Sequence, residues 1–129
     1  MTTPVSSYNS VNGIPTCAHP LLKHVLRTKW AFDGYVTSDT GAVEDIYAQH
    51  KYVATSEQAV GVALGQGMTD IDSGKVYSES LLKALANGNT TRADVNKALY
   101  NTLKLRFRLG LFDPIDNQAY WKASGADSV

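Results

Sequence analysis

Gly34-Tyr35-Val36-Thr37-Ser38-Asp39 is the stretch that decides the fold. It is short, apolar and β-branched, and it ends in a carboxylate. Phe32-Asp33-Gly34 supplies a turn before it and Gly41 a breaker after it, so it reads as a buried strand. A carboxylate at the C-terminal tip of such a strand stands at the mouth of an α/β fold, where ligands bind. Asp39 there suits a nucleophile in glycosyl transfer, which needs a carboxylate beside the anomeric carbon. The competing reading is an N-cap for a helix starting near Ala42. Position alone favours the cap, because caps are far commoner than nucleophiles.

Outward from this strand, Val5 to Asn9 reads as a short strand, and Ser10-Val11-Asn12-Gly13-Ile14-Pro15 as a turn-rich segment too polar for a core element. Pro20 suits the first residue of a helix, in which Leu21, Leu22, Val25, Leu26 and Trp30 recur at helical spacing. Lys23, His24, Arg27 and Lys29 fall between them. After Gly41 a short helix carries Val43, Ile46 and Tyr47. A second starts at Thr55-Ser56, where Glu57 and Gln58 complete a cap signal, and stops at Gly65 to Gly67. Met68 to Asp72 reads as another short strand tipped by an acid. Ser78 to Ala86 is helical. Thr91 caps a long helix, with Asp94 three residues on, that buries Val95, Ala98, Leu99, Leu103 and Phe107 and stops at Gly110. Asp113-Pro114 closes the ordered part, and 123–129 reads as a mobile tail. Strands alternating with helices imply parallel strands joined by right-handed crossovers. No linker divides residues 1–122.

The 129 residues suffice for one domain with a modest core. Twelve basic residues balance twelve acidic ones, so no whole-chain field attracts nucleic acid or anionic lipid. Lys104, Arg106 and Arg108, alternating with Leu105, Phe107 and Leu109, read as a solvated helix face with some packing. Cys17 is the single cysteine, which excludes an internal disulfide, and it reads as a small buried side chain rather than a catalytic thiol. His19, His24 and His50 read as surface or loop residues without the spacing of a metal site. No metal and no cofactor are expected. No apolar run is long enough to span a membrane, and Met1-Thr2-Thr3-Pro4 has neither the basic start nor the apolar core of a signal peptide.

Three separate motifs, in order, carry a resemblance. Ser7-Tyr8-Asn9-Ser10-Val11-Asn12-Gly13 with Pro15-Thr16-Cys17-Ala18, then Leu26 through Asp39, resembles glycoside hydrolase family 3. Gly67-Met68-Thr69-Asp70-Ile71-Asp72-Ser73-Gly74 resembles the next signature of that family, and Leu105 through Pro114 the segment that closes its catalytic barrel. The wording is most similar to the β-xylosidase and β-glucosidase members.

The resemblance implies a partial (β/α)8 barrel, about the last three strand–helix units, since a complete one takes about 250 residues. It implies a retaining exo-glycosidase that hydrolyses β-linked xylose or glucose, with Asp39 on the nucleophile position. Tyr8 falls where the family places a tyrosine at the sugar subsite, although a packed strand aromatic is nearly as good a reading. Thr40 occupies a substrate-contact position where many members carry a tryptophan. The family's upstream sugar-binding residues and its acid/base have no counterpart here. Glu44, Asp70 and Asp72 are weak candidates for a second carboxyl, and hydrogen bonding at the barrel rim suits Asp70 and Asp72 better. The chain is therefore expected to be a fragment or truncated form, inactive when isolated, from an enzyme that is secreted or periplasmic. The alternative is a noncatalytic carbohydrate-binding or oligomerising half-barrel. A β-linked oligosaccharide or glycoside is the expected ligand. An open sheet edge implies a homo-oligomer or a complementing barrel chain.

Overall fold

A computed structural model describes residues 4–71, 74–118 and 120–123. Strand β1 (Val5–Ser6) leads into a hairpin of β2 (Ser10–Val11) and β3 (Ile14–Pro15). Asn12 and Gly13 turn that hairpin with φ of 51° and 81°, the positive values that a two-residue hairpin turn demands. Thr16–Ala18 then makes one 3-10 turn, and Leu22–Lys29 is wound as a π-helix, with the Trp30 N–H donating to the Val25 carbonyl at 2.9 Å. Strand β4 (Thr37–Ser38) lies parallel to β1, Val5 opposite Thr37 and Ser6 opposite Ser38. The architecture is α/β with a parallel strand pair.

Four α-helices follow: α1 (Ala42–Ala48), α2 (Ser56–Gly61), α3 (Lys75–Ala86) and α4 (Arg92–Arg108). The caps read from the sequence hold. Thr55 accepts from the Gln58 N–H, and Thr91 and Asp94 form a reciprocal capping box. α2 continues into a second π-helix, Val62–Gly67. The core gathers Cys17 and Ala18 with Val43 and Ile46 of α1, Val60, Ala63 and Leu64 from α2 and its π continuation, and Val76 and Tyr77 of α3. Cys17 is buried, as expected, and its sulfur shares a 2.6 Å hydrogen bond with the Ser6 hydroxyl. The Cys17 turn and the second π-helix meet so closely that a Cβ on Gly67 would stand 2.0 Å from the Cys17 carbonyl oxygen, which leaves room only for glycine.

Four expectations need correction. Met68–Asp72 does not form a strand over its described part, 68–71; Asp72 itself lies outside the described residues. Thr37 N–H and Asp39 N–H bond toward β1, while Val36, one residue out of phase, bonds on the opposite edge of β4. There the Asp70 N–H donates to the Val36 carbonyl (2.8 Å), but the Val36 N–H donates to the Asp70 carboxylate (2.8 Å). A side chain has taken the place of a ladder carbonyl, so pairing stops after one backbone bond.

The helix after Pro20 buries none of its Leu22–Lys29 residues, and Leu21 and Trp30 are exposed. Winding with i→i+5 bonds rotates the side-chain faces away from those that i, i+3, i+4 spacing defines. On α4 the buried residues are Ala98 and Asn101, whereas Leu99, Leu103 and Phe107 are exposed. The face that packs carries Ala98 toward the second π-helix and Asn101 onto Asp70, and the expected apolar stripe runs beside it. The chain also continues past Pro114 into a 3-10 turn at Ile115–Asn117, where the Gln118 side-chain amide donates to the Gly110 carbonyl at 2.8 Å. The expected tail lies outside the described residues over 124–129.

The basic cluster is partly packed, as expected, and it also forms ion pairs. Lys104 pairs with Asp33 at 2.5 Å and Arg108 approaches it at 3.9 Å. The hydrogen bond from Lys104, then its charge, holds the Asp33 carboxyl below its usual value.

Candidate active site

Alternation along β4 sets the position of Asp39. Val36 and Ser38 are buried, while Tyr35, Thr37 and Asp39 share the opposite, half-buried face. The Asp39 N–H donates to the Ser6 carbonyl (2.9 Å), tying the strand tip to β1. Its carbonyl accepts from the Ala42 N–H (3.0 Å), and its Oδ1 accepts from the Thr40 N–H (2.7 Å). Asp39 is therefore not the N-cap of α1. That position belongs to Gly41, whose φ of 85° suits glycine and which caps with no side-chain bond. The helix-cap reading falls, and the carboxylate stays half-exposed at the mouth of the strand pair.

Tyr8 joins it from the loop after β1. Its hydroxyl donates to the Thr40 carbonyl at 2.6 Å, and the Asp39 carboxylate, which accepts from the N–H of the same Thr40, lies near enough for its charge to act on the phenol. Desolvation, then the nearby Asp39 carboxylate, then the charge of Asp45, raise the phenol above its ordinary value of 10.0. Tyr8 is 46% exposed, so it is not simply a packed aromatic. Thr40 is exposed, and its main chain rather than its side chain makes the contact with Tyr8. Asp39, Tyr8 and Thr40 thus come together around the Thr40 main chain.

The candidates for a second carboxyl fare differently. Glu44 is exposed in the first turn of α1, where a carboxylate complements the helix dipole. Asp70 is buried and fully engaged. It accepts from Arg27 (2.7 Å) and the Val36 N–H (2.8 Å) on one oxygen and from Asn101 (2.9 Å) on the other. Burial pushes its carboxyl up, and the bonds from Val36, Asn101 and Arg27 offset only part of that. Asp70 is a structural knot.

Two residues carry more than their sequence context suggested. Arg27 reaches the carbonyls of Gly34 and Met68 as well as Asp70, binding the approach to β4 to the segment on its far edge. Helical spacing had placed it among the polar residues. His50, read as a loop histidine, sits half-buried with Nε2 2.7 Å from the Tyr8 carbonyl oxygen.

A family profile described as the glycosyl hydrolase family 3 N terminal domain matches residues 1–105. The chain belongs to glycosyl hydrolase family 3. Among relatives in this family, a probable exo-1,4-β-xylosidase of Aspergillus terreus is 45% identical over 125 residues, 94% of this chain and 16% of that relative. A probable β-D-xylosidase of Arabidopsis thaliana is 43% identical over 108 residues, 83% of this chain and 14% of its own length. The chain spans about a sixth of such relatives. Among solved structures, the family 3 exo-β-xylosidase XlnD in complex with a xylobiose aziridine probe superposes with TM-score 0.82. It is 29% identical, and the match covers 95% of this chain and 16% of that one. A Listeria innocua β-glucosidase in complex with glucose has TM-score 0.81 at 24% identity, over 97% of this chain and 17% of its own, a likeness of fold alone.

Proposed function

We propose that this chain is the nucleophile-bearing part of a retaining exo-β-glycosidase acting on terminal β-linked xylose or glucose. The observation that carries this reading is the placement of Asp39: a half-exposed carboxylate at the C-terminal tip of a parallel strand, free of capping duty, with the Tyr8 phenol against it. The identity to β-xylosidases favours a β-xyloside as substrate. In such a reaction Asp39 attacks the anomeric carbon while a second carboxyl, about 5–5.5 Å away, protonates the leaving oxygen. Asp70 is spoken for by Arg27, Val36 and Asn101, and Glu44 caps no substrate face in this reading. The acid/base is then supplied by polypeptide beyond this sequence, and the isolated chain does not turn over glycosides.

In this reading β1, β4 and the segment 68–71, which is not itself a strand, occupy the places of the last three barrel strands. Tyr35 and Thr37, on the same face as Asp39, line a groove of about 380 Å³ with Ile71, Leu99, Leu103 and Arg106. That open face and the outer edge of β1 are what the remaining strands, or another copy of the chain, would cover. Thr40 borders the sugar site, in the place where an aromatic platform would otherwise stand.

The test is Asp39→Asn in the complete enzyme, assayed with an aryl β-xyloside. Loss of the charge removes the attacking group at almost constant volume, so turnover should be abolished while the fold persists. A 2-fluoroxyloside inactivator should label the peptide containing Asp39 in the wild type only. A folded Asn variant with wild-type turnover overturns the assignment.

A further inference from the structure

Tyr8 is held from two ends of one helix. Thr40, just before α1, accepts the Tyr8 hydroxyl at 2.6 Å, and His50, just after α1, meets the Tyr8 carbonyl oxygen at 2.7 Å. A carbonyl only accepts, so His50 Nε2 carries the hydrogen and donates it. The His50 N–H is itself bonded to the Asp45 carbonyl (2.9 Å), so the imidazole rides on the last turn of α1. α1 is anchored in the core through Ala42, Val43 and Ile46. Its seven residues span about 10 Å, comparable with the reach from the carbonyl to the hydroxyl of an extended tyrosine. The other bonds around this loop hold the neighbours of Tyr8: Thr16 donates to the Ser7 and Asn9 carbonyls. Tyr8 is 46% exposed, and these two tethers fix its ends against the conformational freedom that exposure allows.

We infer that His50 is a positioning residue for the Asp39 site, fixing through the Tyr8 carbonyl where the Tyr8 phenol meets the nucleophile. The inference rests on the reading of Asp39 given above. The phenol has one proton to give; it gives it to the Thr40 carbonyl at 2.6 Å, and the N–H of the same Thr40 holds the Asp39 carboxylate at 2.7 Å. A small displacement changes that geometry and how the carboxylate is oriented for attack. Misplacement of a group in the reacting constellation slows the chemical step more than it weakens ground-state binding.

The experiment uses the complete enzyme with an aryl β-xyloside, with Asp39→Asn as control. Asn and Gln in place of His50 make a matched pair of polar variants: the Gln side-chain nitrogen extends as far as Nε2, and that of Asn stops short. His50→Asn should lower kcat about 10- to 100-fold, with KM changed less than about threefold. His50→Gln should restore kcat to within about threefold of wild type. Tyr8→Phe combined with His50→Asn should be no slower than Tyr8→Phe alone, because without the hydroxyl its position no longer matters. Losses that multiply in the double variant, equal losses in the Asn and Gln variants, or an unchanged kcat in His50→Asn overturn the inference. An active Asp39→Asn control overturns the functional reading and the inference with it, whereas an inactive control with a wild-type His50→Asn overturns the inference alone.

Discussion

Arg27 shows what one side chain can decide. Its guanidinium joins the Phe32–Gly34 approach, the Met68 carbonyl and Asp70, and its side chain is only 7% exposed. The raised Asp70 carboxyl marks a charge that burial penalises more than its bonds reward. Such a pair specifies an arrangement rather than adding net stability, and removing one partner strands the other. Arg27→Met should therefore destabilise the complete enzyme by about 3–5 kcal/mol in denaturant unfolding. Arg27→Met with Asp70→Leu should cost less than the sum of the two single changes, because the double variant leaves no lone charge buried. A strictly additive result would show that the two side chains do not act as a pair. Nothing near Arg27 in the sequence announced this role, since Asp70 lies 43 positions away. The place of Asp39 at a strand tip was legible because its signal is local, a β-branched run, a terminal acid and a glycine two residues on, although the same local signal favoured a helix cap that the structure gives to Gly41. His50 was not, since its partner is a main-chain carbonyl 42 residues upstream.

At the scale of elements, what the sequence shows depends on whether the signal is made by neighbours. The caps at Thr55 and Thr91 are built from residues three apart and were readable as such. The winding of the two π-helices was not, because an i→i+5 ladder leaves no periodic mark in so short a run. The third strand failed for a related reason: a carboxylate can imitate a backbone acceptor, and no pattern of apolar residues reveals it. Gly67 ends the second π-helix at the point where it touches the Cys17 turn. An added methyl there meets backbone rather than a movable side chain. Gly67→Ala should cost about 1–3 kcal/mol by overpacking, read as a lowered unfolding midpoint. An unchanged midpoint would mean that the two segments can part without loss.

Across the whole molecule, the order of strands and helices gave the α/β class, and the family motifs placed the strand pair within it. The apolar residues left outside could not be anticipated from periodicity, because periodicity marks a face that will be covered without saying by what. Phe107 and Phe112 pack with tilted rings, centroids 4.5 Å apart, and both remain exposed, as do Leu109 and Leu111. With the groove beside Thr37 and the β1 edge, this surface should drive self-association of the isolated chain. Light scattering over a concentration series should give a mass that rises above that of one chain, with a symmetric dimer as the first step. A constant single-chain mass would refute the open-face argument. The Arg27 junction also imposes a timetable on synthesis. At ordinary elongation rates the ribosome needs about 2–9 s to add the 43 residues from Arg27 to Asp70. Through that interval the nascent segment carries a cation whose counterion has not been made, and β4 waits with one edge unlocked.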